Sequence, residues 1–308
     1  MEIGLIVSKM FMLLILLIIG YVCAKLNVTT KEFNKVASKV AINVFFFAMI
    51  ISSVANKEIP MSGSELAFGI GMMFVFILIS LVLAVLTPRV FRIKDGDIGM
   101  YELLIGFMNT AFIGYPVIQA MYGEESVFFA ATSGIPFNLA IYTIGIIMLN
   151  KNRNDGAKLN FKNILTPPLI ATVISIFIFA FKIPVPAIID ETCDLMSGAA
   201  IPLSMFVVGS SLGDVPLKEA FSDKRMYLLS FVRLIVCPAV VWLLLKPFVS
   251  NSVMLGTIVI LASTPMPVIA TILGIQYGRD GVESSKGIFL STVLSMVTMP
   301  AIIYLFGL

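Results

Sequence analysis

Histidine is absent from this 308-residue chain. That removes the side chain which most often ligates metals and shuttles protons near neutral pH. It also excludes Ser-His and Cys-His catalysis and HExxH-type metal sites. Cysteine is scarce: Cys23, Cys193 and Cys237 show no CxxC spacing, so neither a disulfide framework nor a zinc site is expected. Charge is scarce too, at 13% of residues, against 59% hydrophobic residues and a mean hydropathy of +1.02. A soluble chain of this length has no way to hide that much apolar surface. The net charge of +3 is too weak to argue for a nucleic-acid partner. No residue pattern implies a cofactor.

What the chain does have is apolar runs of membrane-spanning length, about 20 residues each. Ten are read, roughly at 3–24, 38–55, 66–88, 101–122, 127–149, 165–181, 195–212, 226–249, 253–277 and 286–307. The first lacks a basic leader and a small-residue cleavage site, so it is expected to stay as a span. The connections are too short for a soluble domain. The expected fold is an all-α integral membrane protein in a lipid bilayer.

Basic residues are distributed unevenly over the connections. Taken alternately, one set of loops and span ends carries sixteen, including Lys31, Arg92, Lys158, Lys224 and Arg279; the other carries Lys9, Lys57, Lys182 and Lys246. Under the positive-inside rule the rich set is cytoplasmic. Both termini are then extracellular, and the protein is multi-pass in the cell membrane. The expected organisation is a first five-helix repeat at 1–149, a cytoplasmic linker at 150–164 and a second five-helix repeat at 165–308. An odd number of spans per repeat inverts one relative to the other.

Two segments echo each other across these halves. ELLIGFMNTAFIGYPVIQAMYGEES runs from Glu102 to Ser126, and GTIVILASTPMPVIATILGIQYGRDG runs from Gly256 to Gly281. Tyr122-Gly123 aligns with Tyr277-Gly278, and Asn109-Thr110 falls opposite Thr264-Pro265. Both carry helix-breaking chemistry: Gly114 and Pro116 in the first, Pro265 and Pro267 in the second. Proline removes a donor and clashes with the preceding turn, and freed backbone groups in hydrocarbon must be satisfied by protein or cavity water. Breaks are expected at Asn109–Pro116 and Thr264–Pro267, in spans four and nine, which cross. Each half-helix N-terminus carries about +0.5 charge and free N–H groups suited to an anion. Paired broken helices in corresponding positions of two halves point to a secondary transporter with its site at the midplane.

These residues resemble the auxin efflux carrier family of secondary transporters over nearly the whole chain. The matching stretches are FMNTAFIGYPVIQAMYG in the fourth span, GAAIPLSMFVVGSSLG in the seventh, and TPMPVIATILGIQYGRD with FLSTVLSMVTMP in the last two. The resemblance implies ten helices in two inverted repeats with crossed fourth and ninth helices, similar to the bile acid symporter fold. It implies transport of auxin-like weak acids or of small carboxylates such as malate and malonate. The chain departs from the family pattern where Pro265 is followed by Met266, Pro267, Val268 and Ile269, without an amide. It departs again where Ala41-Ile42-Asn43-Val44 replaces a proline-bearing stretch, and in its short linker.

The expected substrate contacts are Asn109 and Thr110 at the first break and Thr264 and Pro265 at the second. Asn43, Ser204, Asn138, Tyr142 and Ser291 are expected as wall residues. Each serine or threonine has an ordinary alternative, a hydroxyl bonded to its own helix carbonyl. Arg233, inside the eighth span, is read as snorkelling to the cytoplasmic surface or forming a structural pair. Glu102, Asp190, Glu191 and Asp194 are read as solvated at span ends. No carboxylate marks an ion site at mid-span, so H+, Na+ and no coupling ion all stay open, as does a homodimer. The expected function is a secondary active or facilitative transporter of a small organic anion working by alternating access. A non-transporting membrane sensor on the same fold is the alternative, and an enzyme is not expected.

Overall fold

The computed structural model describes residues 3–93, 97–150, 161–213, 221–279 and 281–308. Residues 151–160, most of the expected linker 150–164, lie outside the described residues, as do Lys94, Lys151, Arg153, Lys158 and Lys218. Everything regular among the described residues is helical. The elements are α1 (Ile3–Lys25), α2 (Lys31–Ser52), α3 (Gly63–Val90), α4 (Ile98–Gly106), α5 (Tyr115–Tyr122), α6 (Glu125–Leu149), α7 (Pro167–Phe181), α8 (Ala187–Gly213), α9 (Lys224–Leu245), α10 (Ser252–Ser263), α11 (Ile269–Gln276) and α12 (Gly281–Phe306).

Helix starts follow the local sequence. Thr30, Asp97, Thr166, Asp223 and Asn251 each accept a hydrogen bond from a backbone N–H of the turn they begin. Ser62 and Glu65 form a reciprocal capping box before α3: Ser62 N–H donates to Glu65 Oε2 at 2.8 Å, and Glu65 N–H donates to Ser62 Oγ at 3.2 Å. Two helices run beyond the apolar runs. α2, capped by Thr30, begins at Lys31 rather than near 38, and α8 begins at Ala187 rather than near 195. Lys31–Lys35 and Asp190–Asp194 put polar residues in their first two turns, so hydropathy alone misses them.

Eight helical segments are long and apolar enough to cross a membrane; Ile98–Tyr122, holding α4 and α5, is one. α7 and α10 are apolar but shorter. Apolar side chains cover outward faces as well as the core: α1 exposes Phe11, Ile15, Ile18 and Val22 while burying Met10, Leu13 and Leu17. Such helices suit lipid, where backbone groups are satisfied within the helix and hydrocarbon accepts the side chains. The protein is a multi-pass helical membrane protein.

Two compact units are present, and neither follows chain order. The first comprises residues 1–71, 111–135 and 165–214; the second comprises 72–110, 136–164 and 215–308. In the first, α1 and α8 pack backbone to backbone. A methyl on Gly20 would overlap the Phe206 carbonyl, and one on Gly209 would overlap that of Leu17. Phe46 meets Phe112 and Tyr115 edge to face in its core. The second unit packs around Phe76, Met100, Tyr101, Leu104, Ile260 and Leu290.

Candidate functional site

Both echoing segments are interrupted. α4 stops at Gly106, and Phe107, Met108 and Asn109 leave the helix before a π turn, Thr110–Gly114, leads into α5. α10 stops at Ser263, and residues 264–268 leave the helix before α11. The first break lies earlier than its proline suggests. Pro116 removes the N–H that would bond the carbonyl of residue 112, and the π turn absorbs that loss. A second π turn, Val232–Val236, has the same relation to Pro238 in α9.

The breaks touch. Asn109 N–H donates to the Pro265 carbonyl at 3.0 Å, joining residues that neither helix could pair internally. Met266 N–H donates to Ser291 Oγ of α12 at 3.2 Å. Pro265 and Pro267 have no N–H to place. Phe107 packs edge to face on Phe137, the neighbour of Asn138. Asn109, Thr110, Thr264, Asn138, Tyr142 and Ser291 are all buried, in the second unit.

The hydroxyls are largely committed to their own helices. Thr264 Oγ1 donates to Leu261 O at 2.8 Å, Ser291 Oγ to Ile288 O at 3.1 Å, and Ser204 Oγ to Ile201 O at 2.9 Å. Asn43 and Ser204 belong to the first unit; Ser204 is buried, but Asn43 is exposed in a π turn of α2.

Arg233 does not snorkel. It is fully buried, among the largest of the described residues to be so, in the π turn of α9. Its Nε donates to Thr264 O at 3.1 Å, one Nη to Ile105 O at 3.4 Å and Cys237 Sγ at 3.3 Å, and the other Nη to Leu261 O at 3.4 Å. Those carbonyls end α4 and α10, where aligned peptide dipoles leave about −0.5 charge each. The sequence marked Arg233 as an intramembrane charge, but its carbonyl partners come from two distant segments that only folding assembles. Glu102 is likewise buried, not solvated. Tyr101 Oη donates to Glu283 Oε2 at 3.0 Å, and Arg225 lies 3.7 Å from the other Glu283 oxygen.

The first unit holds an ionic cluster around Lys57, which lies on the connection between α2 and α3. Lys57 Nζ lies 2.7 Å from Glu124 Oε2 and 3.6 Å from Asp194 Oδ1. Burial works against its charge, but the hydrogen bond and charge of Glu124, with Asp194 and Glu125, outweigh that and hold its pKa above the ordinary lysine value.

Residues 5–303 match the family model described as membrane transport protein. An uncharacterized transporter of Methanothermobacter thermautotrophicus is 26% identical over 288 residues, covering 93% of this chain and 94% of that protein. Another, of Methanocaldococcus jannaschii, is 26% identical over 296 residues, with the same coverage of each. A putative malonate transporter of Rhizobium meliloti is 29% identical over 127 residues, 41% of this chain and 38% of that protein. With the match running almost from end to end, the chain belongs to the auxin efflux carrier family of membrane transport proteins.

Proposed function

We propose that the protein carries a small organic anion across the cell membrane by alternating access, as a secondary active or facilitative transporter. The substrate class is a carboxylate such as malonate or malate, or an auxin-like weak acid. The observation that carries this reading is the hydrogen bond from Asn109 N–H to Pro265 O, which ties together the interruptions of two apolar helices. Irregular backbone at membrane depth is tolerated where it is buried in protein or lines a cavity, and in transporters it marks the binding site. The relative named a putative malonate transporter supports the substrate class.

The architecture belongs to the same reading. α10 alone rises about 18 Å and α7 about 22 Å at 1.5 Å per residue, short of a hydrocarbon core of about 30 Å. α10, its break and α11 together form one interrupted span, and α7 crosses with the help of the short helix Phe161–Ile164 before it. The total is then ten spans in two inverted five-helix repeats, with both termini outside. Asn109 and Thr110 hold the anion, beside Thr264 and Pro265. Asn138 and Tyr142 of α6 and Ser291 of α12 complete the contacts.

Purified protein in liposomes tests this. Radiolabelled malonate, malate and indole-3-acetate are offered to vesicles with and without protein. Saturable, protein-dependent uptake of at least one is expected. A carboxylate that raises the melting temperature yet is never taken up would point to a sensor instead.

A further inference from the structure

Arg233 brings a permanent charge into the interior of the second unit, and among the described residues no carboxylate pairs with it. Among the described residues, the ion pairs of this unit involve Arg225 and Arg279, and none involves Arg233. A buried charge without a counter-ion is costly unless dipoles replace its hydration. Here the replacement is specific: the carbonyls of Ile105, Leu261 and Thr264, with the thiol of Cys237. Ile105 is the penultimate residue of α4, and Leu261 and Thr264 lie at the end of α10. The guanidinium therefore caps the negative ends of the two half-helices whose breaks are joined by Asn109 and Pro265.

Half-helix C-terminal ends and unwound carbonyls are the groups with which broken-helix transporters hold a coupling cation. We propose that Arg233 is a tethered stand-in for that cation: its guanidinium fills the carbonyl cage at the two helix ends, so the charge that balances a bound anion belongs to the protein, and Na+ is not required. The planar fork suits the task, because its donors reach three carbonyls in different directions at once. A lysine ammonium is a compact point charge and does not span them.

Removing the guanidinium leaves a carbonyl cage that accepts a small monovalent cation or free guanidinium. A residue that merely filled space would leave no such preference.

This inference rests on the transporter reading, but its test needs no transported substrate. Wild-type protein and Arg233→Met, which keeps much of the apolar stem, are purified in detergent and melted at constant ionic strength. The media contain Na+, N-methylglucamine, low-millimolar guanidinium or the same concentration of urea. The wild type is expected to melt at the same temperature in Na+ and N-methylglucamine. Arg233→Met is expected to melt several degrees lower and to regain most of the loss with guanidinium or Na+, but not with urea, the neutral molecule of the same shape. Stabilisation of the wild type by Na+ over N-methylglucamine would overturn the proposal. So would an Arg233→Met protein that responds to no cation, or equally to urea. If the variant is recovered only when guanidinium or Na+ is present during extraction, the proposal is supported; if neither recovers it, the proposal fails. Cation responses as expected, in a protein that takes up no carboxylate, would uphold the cage and remove the transporter reading. Uptake in a protein without those responses would do the reverse.

Discussion

Asn109 is where backbone and side chain have separable roles. Its N–H closes the contact with Pro265, and alanine keeps that bond while deleting the amide. If the amide binds the anion, Asn109→Ala loses a hydrogen bond to a charged group worth about 1.5–3 kcal/mol, or roughly a 10- to 150-fold weaker Kd. The uptake assay, read as concentration dependence, checks this; unchanged half-saturation would remove Asn109 from the site. Glycines give an independent prediction at the same scale. Gly209→Ala drives a methyl into the Leu17 carbonyl and is expected to cost about 1–3 kcal/mol through overpacking. Gly71→Ala, in α3, meets nothing within 4 Å and is expected to be neutral or slightly stabilising. Thermal melting of the two variants side by side distinguishes them. At this scale the sequence is readable only in part. Asn109, Thr264 and Pro265 stand out by type, but Thr264, Ser291 and Ser204 each satisfy their hydroxyl with a carbonyl of their own helix. Composition does not distinguish such a hydroxyl from one turned to a ligand. Arg233 is legible as an intramembrane charge, yet its distance from the surface depends on how α4, α9 and α10 pack.

At the scale of elements, caps and breaks are what the sequence carries best. Thr30, Asp97, Thr166, Asp223 and Asn251 mark their helix starts by chemistry that acts within one turn. Pro265 and Pro267 mark the second break because two prolines two residues apart deny a helix its donors. The first break is displaced because the π turn at Thr110–Gly114 takes up the donor lost at Pro116, leaving Phe107–Asn109 as the irregular stretch. A proline pair replaced by alanine tests whether the second break is needed. Pro265→Ala/Pro267→Ala restores two N–H groups and lets α10 run onward, so melting temperature is expected to hold or rise. The carbonyl of residue 265 then turns into the helix and away from Asn109, and uptake is expected to be lost. Undiminished uptake with raised helicity by circular dichroism would show that the break is dispensable. Lys57 offers a pH test on the connections of the first unit. Its folded pKa is raised, so the contribution of its pairs is fully present below the ordinary lysine value of 10.5 and lost as pH climbs through the higher folded value. Lys57→Met is expected to lose at most about 1 kcal/mol at neutral pH, as half-exposed pairs do. The gap between variant and wild type should close above that alkaline window. A gap that persists there would assign the loss to packing rather than charge.

For the whole molecule, chain order and compactness part company. The repeat reading divides the chain at 150–164, whereas the two compact units draw segments from both sides of that stretch. Periodicity reports which segments are alike; packing decides which ones touch, and only the first is written along the chain. Topology is the whole-molecule property the sequence addresses most directly, because the asymmetry of sixteen basic residues against four acts during insertion. It can be tested without a substrate. Single cysteines are placed at exposed positions on four connections: Val28 between α1 and α2, Glu58 between α2 and α3, Ile183 between α7 and α8, and Phe248 between α9 and α10. A membrane-impermeant maleimide added to intact cells is expected to label Glu58→Cys, Ile183→Cys and Phe248→Cys, and Val28→Cys only after the membrane is opened. Ile183 and Phe248 carry the decision on span number. α7 is 15 residues long and α10 is 12, and neither crosses unaided by length. If α7 does not cross, every later connection changes side, so Ile183→Cys and Phe248→Cys are labelled on opposite sides from Glu58→Cys. If α7 crosses but the interrupted span from α10 to α11 does not, Phe248→Cys stays outside while a tag after Leu308 becomes cytoplasmic. Only ten spans put Glu58, Ile183, Phe248 and both termini on one face and Val28 on the other. An inversion of the whole pattern would leave the span count intact and overturn the orientation drawn from the basic loops.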